Sequence, residues 1–272
     1  MCELFDLKDK AVVITGAGGV LCGTMAKALA KAGAKVAVLD IVEEAAKKVV
    51  GEIESDAGIA IAVKCNVLDK QSLETAKDKI IAEFGKVDIL INGAGGNKKE
   101  ATTSPDLSFF DLPSEAVRFV FDLNFIGTLL PTQVFGKVMT EAGSGVILNV
   151  SSMCAFSPLT KVCAYSAAKA AVSNFTQWMA VHMCQNYSAN IRVNAIAPGF
   201  FLTEQNRFLL TDKKTGQPTE RGKTIISHIP MARYGDADEL TGTVLWLLSD
   251  AAKYVTGIVV PVDGGFSAFS GV

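Results

Sequence analysis

The sequence predicts an α/β protein: a single-domain, doubly wound (Rossmann-type) seven-stranded parallel sheet with helices on both faces. Short apolar, β-branched runs alternate with amphipathic stretches along the whole chain. Strands apolar on both faces and separated by helices belong to parallel sheets covered on each side. Seven such runs fill the 272 residues, so residues 1–272 are read as one domain.

The predicted strands are 11–15, 35–39, 59–65, 89–92, 145–151, 191–196 and 258–262, with helices near 21–32, 43–55, 70–84, 115–141, 165–187 and 236–249. Residues 200–230 break the rhythm with polar, Gly/Pro-rich sequence, and a loop of that length is expected to border a substrate.

A hydrophobic fraction of 49% supplies a sizeable core. The net charge is −2 and no Lys/Arg run could track phosphates, so nucleic acid is not an expected partner. Acidic residues open the chain, unlike a signal peptide, and no apolar run reaches the length of a membrane span. The six cysteines form no CxxC pair, and most read as small core residues in a reducing cytoplasm. His182 and His228 stand far apart without a ligand pattern, so no metal is expected.

The first strand runs into Thr15-Gly16-Ala17-Gly18-Gly19-Val20-Leu21-Cys22-Gly23 and then a helix. Glycines at such a turn let backbone N–H groups approach a pyrophosphate at the positive end of a helix dipole. Asp40, about 20 residues on, suits a ribose and repels a 2′-phosphate. Ile41 and Val42 follow it without a basic residue, which favours NAD over NADP. A cap on the next helix is the alternative reading of Asp40.

Tyr165-Ser166-Ala167-Ala168-Lys169 opens a helical segment, and residues four apart share one helix face. A phenol of pKa about 10 is a poor acid–base near neutrality, and an adjacent ammonium stabilises its phenolate. Thirteen residues before Tyr165, a strand ends in Ser151-Ser152, where open parallel sheets place their sites. Successive strand side chains point to opposite faces, so only one of these serines can meet Tyr165. The thirteen-residue spacing selects Ser152.

Together, TGAGGVLCG, Asp40, INGAG (91–95), Asn124 in DLNFIG, NVSS (149–152), YSAAK, NAIAPGFFLT (194–203) and VDGGF (262–266) resemble the short-chain dehydrogenase/reductase family over essentially the whole chain. The resemblance implies that Ser152 polarises a substrate oxygen and Tyr165 transfers the proton. It implies that Lys169 lowers the Tyr165 pKa and holds the nicotinamide ribose, and that Asn124 anchors a relay water. It implies an NAD site from Gly16, Gly18, Gly19, Val20, Leu21, Asp40, Ile41, Asn66, Val67, Asn92, Gly93, Ala94, Tyr165, Lys169, Pro198, Gly199, Phe201 and Thr203. It also suggests a homo-tetramer built on the 115–141 and 165–187 helices.

The sequence departs from the family pattern in three places. Val20 and Cys22 stand where the last two glycines of TGxxxGxG belong, Gly93 replaces the second Asn of NNAG, and Asn66 replaces an Asp near the adenine. Val20 must avoid positive φ, so the turn is expected to take a slightly different path.

TGAGGVLCG with INGAGGN and a long following insert is similar, more narrowly, to the family's D-mannonate oxidoreductase (fructuronate reductase) members. That likeness implies a sugar-acid substrate such as D-fructuronate/D-mannonate. Asn97, Lys98 and Lys99 after the fourth strand, Met153 beside Ser152, and Gln205, Asn206 and Arg207 after the PG turn are the candidates to meet it. An Arg fork suits a carboxylate well. A sugar-alcohol, gluconate-type or 3-oxoacyl reductase, and a catalytically silent NAD-binding regulator, are the alternatives.

Overall fold

The computed structural model describes residues 3–202, 210–212 and 215–271. Seven strands, β1 (Ala11–Thr15), β2 (Lys35–Asp40), β3 (Ile59–Lys64), β4 (Ile89–Asn92), β5 (Gly145–Val150), β6 (Ile191–Pro198) and β7 (Val259–Val262), form one sheet in the order β3-β2-β1-β4-β5-β6-β7. Every adjacent pair is parallel. The order reverses at β1, whose Thr15 lies beside Leu39 of β2 and Asn92 of β4. Such a switch point opens a crevice at the carboxyl ends of the strands.

Alternation within buried strands feeds two cores. Val12 and Ile14 of β1 face α1 (Val20–Lys31), α2 (Glu43–Ser55) and α8 (Thr241–Leu248), through Met25, Leu29, Val49, Ile53 and Leu247. Ala11 and Val13 face the other way, toward α3 (Lys70–Phe84), α5 (Gly127–Ala142) and α6 (Cys163–Asn186), through Leu73, Ile80, Phe135 and Met183. The caps follow from sequence: the Asp69 carboxylate accepts from Gln71 N at 2.9 Å to begin α3, and Gly85, at φ +79°, ends it.

Two predicted elements differ. The helix expected over 115–141 is interrupted: α4 (Ser114–Phe121) passes through a π-helical turn, Asp122–Ile126, into α5. Asn124 sits in that turn and donates to Val120 O at 2.7 Å, while Thr128 Oγ1 donates to Asn124 O at 2.8 Å. Side chains thus take over backbone acceptors where the helix widens. The stretch expected as a loop over 200–230 contains α7 (Glu220–Ser227), whose N-cap Thr219 hydroxyl accepts from Gly222 N at 3.1 Å.

Among the described residues Cys22, Cys65 and Cys154 are buried, Cys184 is half-buried, Cys163 is exposed, and all five are free thiols. No helix of the described residues is long and apolar enough to cross a membrane.

Candidate active site

The turn after β1 is built by close approach. Thr15 Oγ1 accepts from Gly93 N at 3.1 Å and Ala94 N at 3.2 Å, fastening the end of β1 to the end of β4. Gly16 takes φ +66°, and a Cβ there would lie 2.7 Å from Ala94 Cα, so only glycine fits. The positive φ falls on Gly16, while Val20 opens α1 as an ordinary helical residue. Gly19 caps α1 without a side-chain hydrogen bond.

Asp40 closes the turn from the side. Its Oδ2 accepts from Gly18 N at 3.0 Å and its Oδ1 from Val42 N at 2.9 Å. A Cβ on Gly18 would lie 2.9 Å from Asp40 Oδ2. The carboxylate therefore orders the two turns beside it, and α2 starts at its own N-cap, Val42, with no side-chain cap bond. Each oxygen still keeps a free lone pair by inventory. Ile41 is exposed beside it, and Leu21 is half-buried against the core. Asn66, past β3, uses its Oδ1 to accept from Leu68 N at 3.0 Å, and Val67 is buried.

Asn92 is not at the surface of the crevice. It is buried, and its Nδ2 donates to Thr132 Oγ1 at 2.9 Å and Asn149 Oδ1 at 2.8 Å. Asn149 in turn donates to Thr176 Oγ1 at 2.9 Å. This buried polar seam joins β4 and β5 to α5 and α6 directly beneath the site.

At the end of β5 the two serines part as strand alternation requires. Ser151 Oγ donates to Lys169 O at 3.0 Å and lies 2.7 Å from Ser173 Oγ, turned into α6. Ser152 Oγ accepts from Cys154 N at 3.3 Å and lies close enough to the Tyr165 phenol to pull its pKa down. One helical turn on, Lys169 Nζ stands 5.6 Å from the Tyr165 ring centroid and donates to Val150 O at 2.8 Å. Asn124 donates to Gly96 O at 2.7 Å and accepts from Gly96 N at 3.2 Å. A Cβ on Gly95 would lie 2.6 Å from Asn124 Oδ1 and 3.2 Å from Lys169 Nζ. Ser152, Tyr165, Lys169 and Asn124 thus share one locus.

Its electrostatics differ from the expected lowering of the phenol. Burial raises the Tyr165 pKa above the ordinary phenol value, and only Ser152 pulls it down. Burial lowers Lys169 to about 8. Desolvation of the phenol outweighs the pull of Ser152, so the shift is upward.

The remaining predicted residues divide. Pro198 ends β6, and a Cβ on Gly199 would lie 2.6 Å from Asp263 Cα, so the PG turn abuts the end of β7. The Phe201 side chain is buried against Gly235, so its ring does not line an open site. Met153 is likewise buried, so its side chain does not line an open site. Asn97 Nδ2 donates to Thr102 Oγ1 at 2.8 Å, and Lys98 Nζ lies 5.2 Å over the Phe119 ring. Thr203, Gln205, Asn206 and Arg207 lie outside the described residues. Thr15 and Gly95 also shape the site; both sit inside the TGAGGVLCG and INGAG motifs, but only contact geometry reveals what they do.

Residues 19–267 match the family described as Enoyl-(Acyl carrier protein) reductase. An uncharacterized oxidoreductase, UxuB, of Bacillus subtilis is 51% identical over 276 residues, 98% of each chain. The chain belongs to the short-chain dehydrogenase/reductase family. Family members are dehydrogenases and reductases acting on CH–OH groups. A Haemophilus influenzae structure, provisionally named a D-mannonate oxidoreductase and holding bound NAD, superposes with a TM-score of 0.92 at 49% identity, covering 98% of each chain. The 7alpha-hydroxysteroid dehydrogenase of Escherichia coli is 35% identical, covering 95% of this chain and 94% of that one.

Proposed function

We propose that the protein is an NAD(H)-dependent oxidoreductase that interconverts a keto group and a secondary alcohol on a sugar acid of the D-fructuronate/D-mannonate kind. The observation that carries the reading is the convergence of Ser152, Tyr165 and Lys169, with Ser152 close enough to the phenol to lower its pKa and the ammonium one helical turn away.

The chain's residues fit a dinucleotide. Gly16 and Gly18 have no room for a side chain, Gly19 leaves the start of α1 without a side-chain cap, and Asp40 keeps a lone pair on each oxygen for ribose hydroxyls. No basic residue stands at positions 41 and 42 to welcome a 2′-phosphate. The Haemophilus relative's bound NAD supports the same choice. When bound, the nicotinamide gives or accepts the hydride.

In the reducing direction, Ser152 orients the substrate carbonyl oxygen and Tyr165 delivers its phenolic proton there. In oxidation the alcohol proton returns to Tyr165. Lys169 offsets the phenolate charge and holds the ribose. Asn124, with both side-chain hydrogens and one Oδ1 lone pair engaged, has one lone pair left for a relay water.

The sugar-acid assignment rests on the name of the Haemophilus relative and on the polar Asn97 and Lys98 past β4; Arg207 is the proposed carboxylate partner. A homo-tetramer is proposed on α5 and α6, supported by exposed Trp178 stacked 4.6 Å from His182 beside Phe175 and Met179. The setting is the cytoplasm, in keeping with free thiols throughout the described residues.

The test is an NADH-oxidation screen over keto-uronates, keto sugars, keto-acids, 3-oxoacyl thioesters and oxo-steroids. Turnover on a keto-uronate is expected, falling at least about 10²-fold in Tyr165→Phe while NADH still binds. Efficient reduction of an apolar ketone with none of any uronate would refute the substrate, and full activity of Tyr165→Phe would refute the mechanism.

A further inference from the structure

Two departures from the family pattern meet in space. Position 22 carries Cys where the pattern has Gly, and position 93 carries Gly where it has Asn. A Cβ on Gly93 would lie 2.3 Å from Cys22 Sγ, against 3.5 Å from Cys22 Cβ and 2.8 Å from the Thr15 carbonyl oxygen. The first distance is far inside any real contact. The thiol therefore occupies the volume that a side chain at position 93 would need.

The two changes have opposite sign: α1 gained volume where the end of β4 lost it. The third glycine of this kind of turn serves close helix–strand packing. Here the small residue, Gly93, stands on the β4 side of the interface and the larger one, Cys22, on α1. The surroundings leave little slack. Cys22 is 6% exposed, Gly93 N is held by Thr15 Oγ1 at 3.1 Å, and Gly16 abuts the next residue, Ala94. Close-packed interiors register volume changes of a single methylene.

The thiol's part is spatial. It is buried, its pKa is pushed up to about 12, and it stays neutral at physiological pH, where a nucleophilic or metal-binding cysteine would need its thiolate. A tolerant core cysteine would give the same burial without the coupling to position 93, and that difference can be measured.

We propose that Cys22 and Gly93 form a size-matched pair that sets how closely α1 stands to the end of β4, so that Cys22 is a positioning residue for the dinucleotide-binding turn Gly16–Gly19. The inference rests on the NAD(H) reading for its functional consequence. Cys22→Ala removes the sulfur that fixes the spacing, and Gly93→Ala overlaps it.

The experiment is a double-mutant cycle on the full chain with native protein, Cys22→Ala, Gly93→Ala and the double variant. Each is read by NADH dissociation constant, from fluorescence titration, and by Tm. Gly93→Ala is expected to weaken NADH binding and lower Tm in the native background. In the Cys22→Ala background its effect on affinity should be at least about fivefold smaller, with a remainder from the Thr15 carbonyl. Equal effects in both backgrounds would overturn the pairing. Cys22→Ala alone should weaken NADH binding at least about threefold, a coupling of the size contacting residues show; a lowered Tm with unchanged affinity would overturn the positioning role. If Gly93→Ala fails to fold, recovery of a folded NADH-binding protein in the double variant supports the pair. Failure of that double variant, with Cys22→Ala folded, overturns it. Native protein that binds no NADH would defeat the functional reading and the positioning role, while the Tm cycle would still decide the pairing.

Discussion

The ammonium of Lys169 donates to the backbone carbonyl of Val150 at 2.8 Å, which ties the second turn of α6 to the last residue of β5. This buried cation has a consequence for stability. Burial lowers its pKa from 10.5 to about 8, so between those values the unfolded chain binds a proton that the folded chain does not. Stability contributed by this group therefore rises with pH across that window and is flat below it. Against Lys169→Met, ligand-free native protein should gain up to about 1.4 kcal/mol per pH unit above pH 8 in urea unfolding. A constant difference from pH 7 to pH 9.5 would contradict this.

Gly95→Ala should disable the site without unfolding the protein. The new Cβ would fall 2.6 Å from Asn124 Oδ1 and 3.2 Å from Lys169 Nζ. Asn124 cannot yield easily, because its amide holds Gly96 O and Val120 O at 2.7 Å each. The loop after β4 must move instead, spreading the proposed proton path. We expect kcat to drop at least about tenfold, since small misplacements of catalytic groups are costly. Activity within twofold of native would show that the spacing does not matter.

Much of this architecture is legible in the sequence because it depends on local pattern. Apolar runs such as Ala11–Thr15 are buried along their whole length, and the Tyr165–Lys169 spacing fixes a shared helix face. What is not legible depends on contacts between distant segments. The π turn holds Asn124 against Gly96, which accepts from and donates to its amide from 28 residues away in the chain. The burial that raises Tyr165 and turns Phe201 and Met153 inward likewise comes from packing that no single helix or strand encodes. Helix α7 hides in a polar composition, and only its Thr219 cap hints at it.

Asp40 has a structural role and a proposed nucleotide-selecting one, and a substitution should separate them. Asp40→Ser shortens the side chain and withdraws acceptors from Gly18 N and Val42 N, now bonded at 3.0 and 2.9 Å. Losing such bonds costs about 0.5–1.5 kcal/mol each, so Tm should fall. Removing the carboxylate also removes the repulsion of a 2′-phosphate carrying about −1.5 to −2 charge. The NAD/NADP ratio of kcat/KM should therefore narrow. A native protein that turned over faster with NADPH at equal concentration would overturn the role given to Asp40.

Ser151 and Ser152 should fail in different ways when each is cut to Ala. Ser151 Oγ is committed to structure, donating to Lys169 O at 3.0 Å and meeting Ser173 Oγ at 2.7 Å, both on α6. Its loss removes one partner from the part-buried Ser173 hydroxyl and a second bond to the Lys169 carbonyl, at a cost of about 1 kcal/mol. Ser151→Ala should therefore lower Tm, and its effect on kcat should follow only from a loosened α6. Ser152 Oγ faces Tyr165 instead, and its remaining contact is a 3.3 Å bond from Cys154 N. Ser152→Ala should keep Tm close to native and lower kcat by about 10²-fold, the size of effect seen when one polarising donor is removed. Paired kcat and Tm measurements on the two variants decide the matter. A crippled Ser151→Ala enzyme beside an active Ser152→Ala enzyme would mean that the catalytic hydroxyl belongs to the other face of the strand.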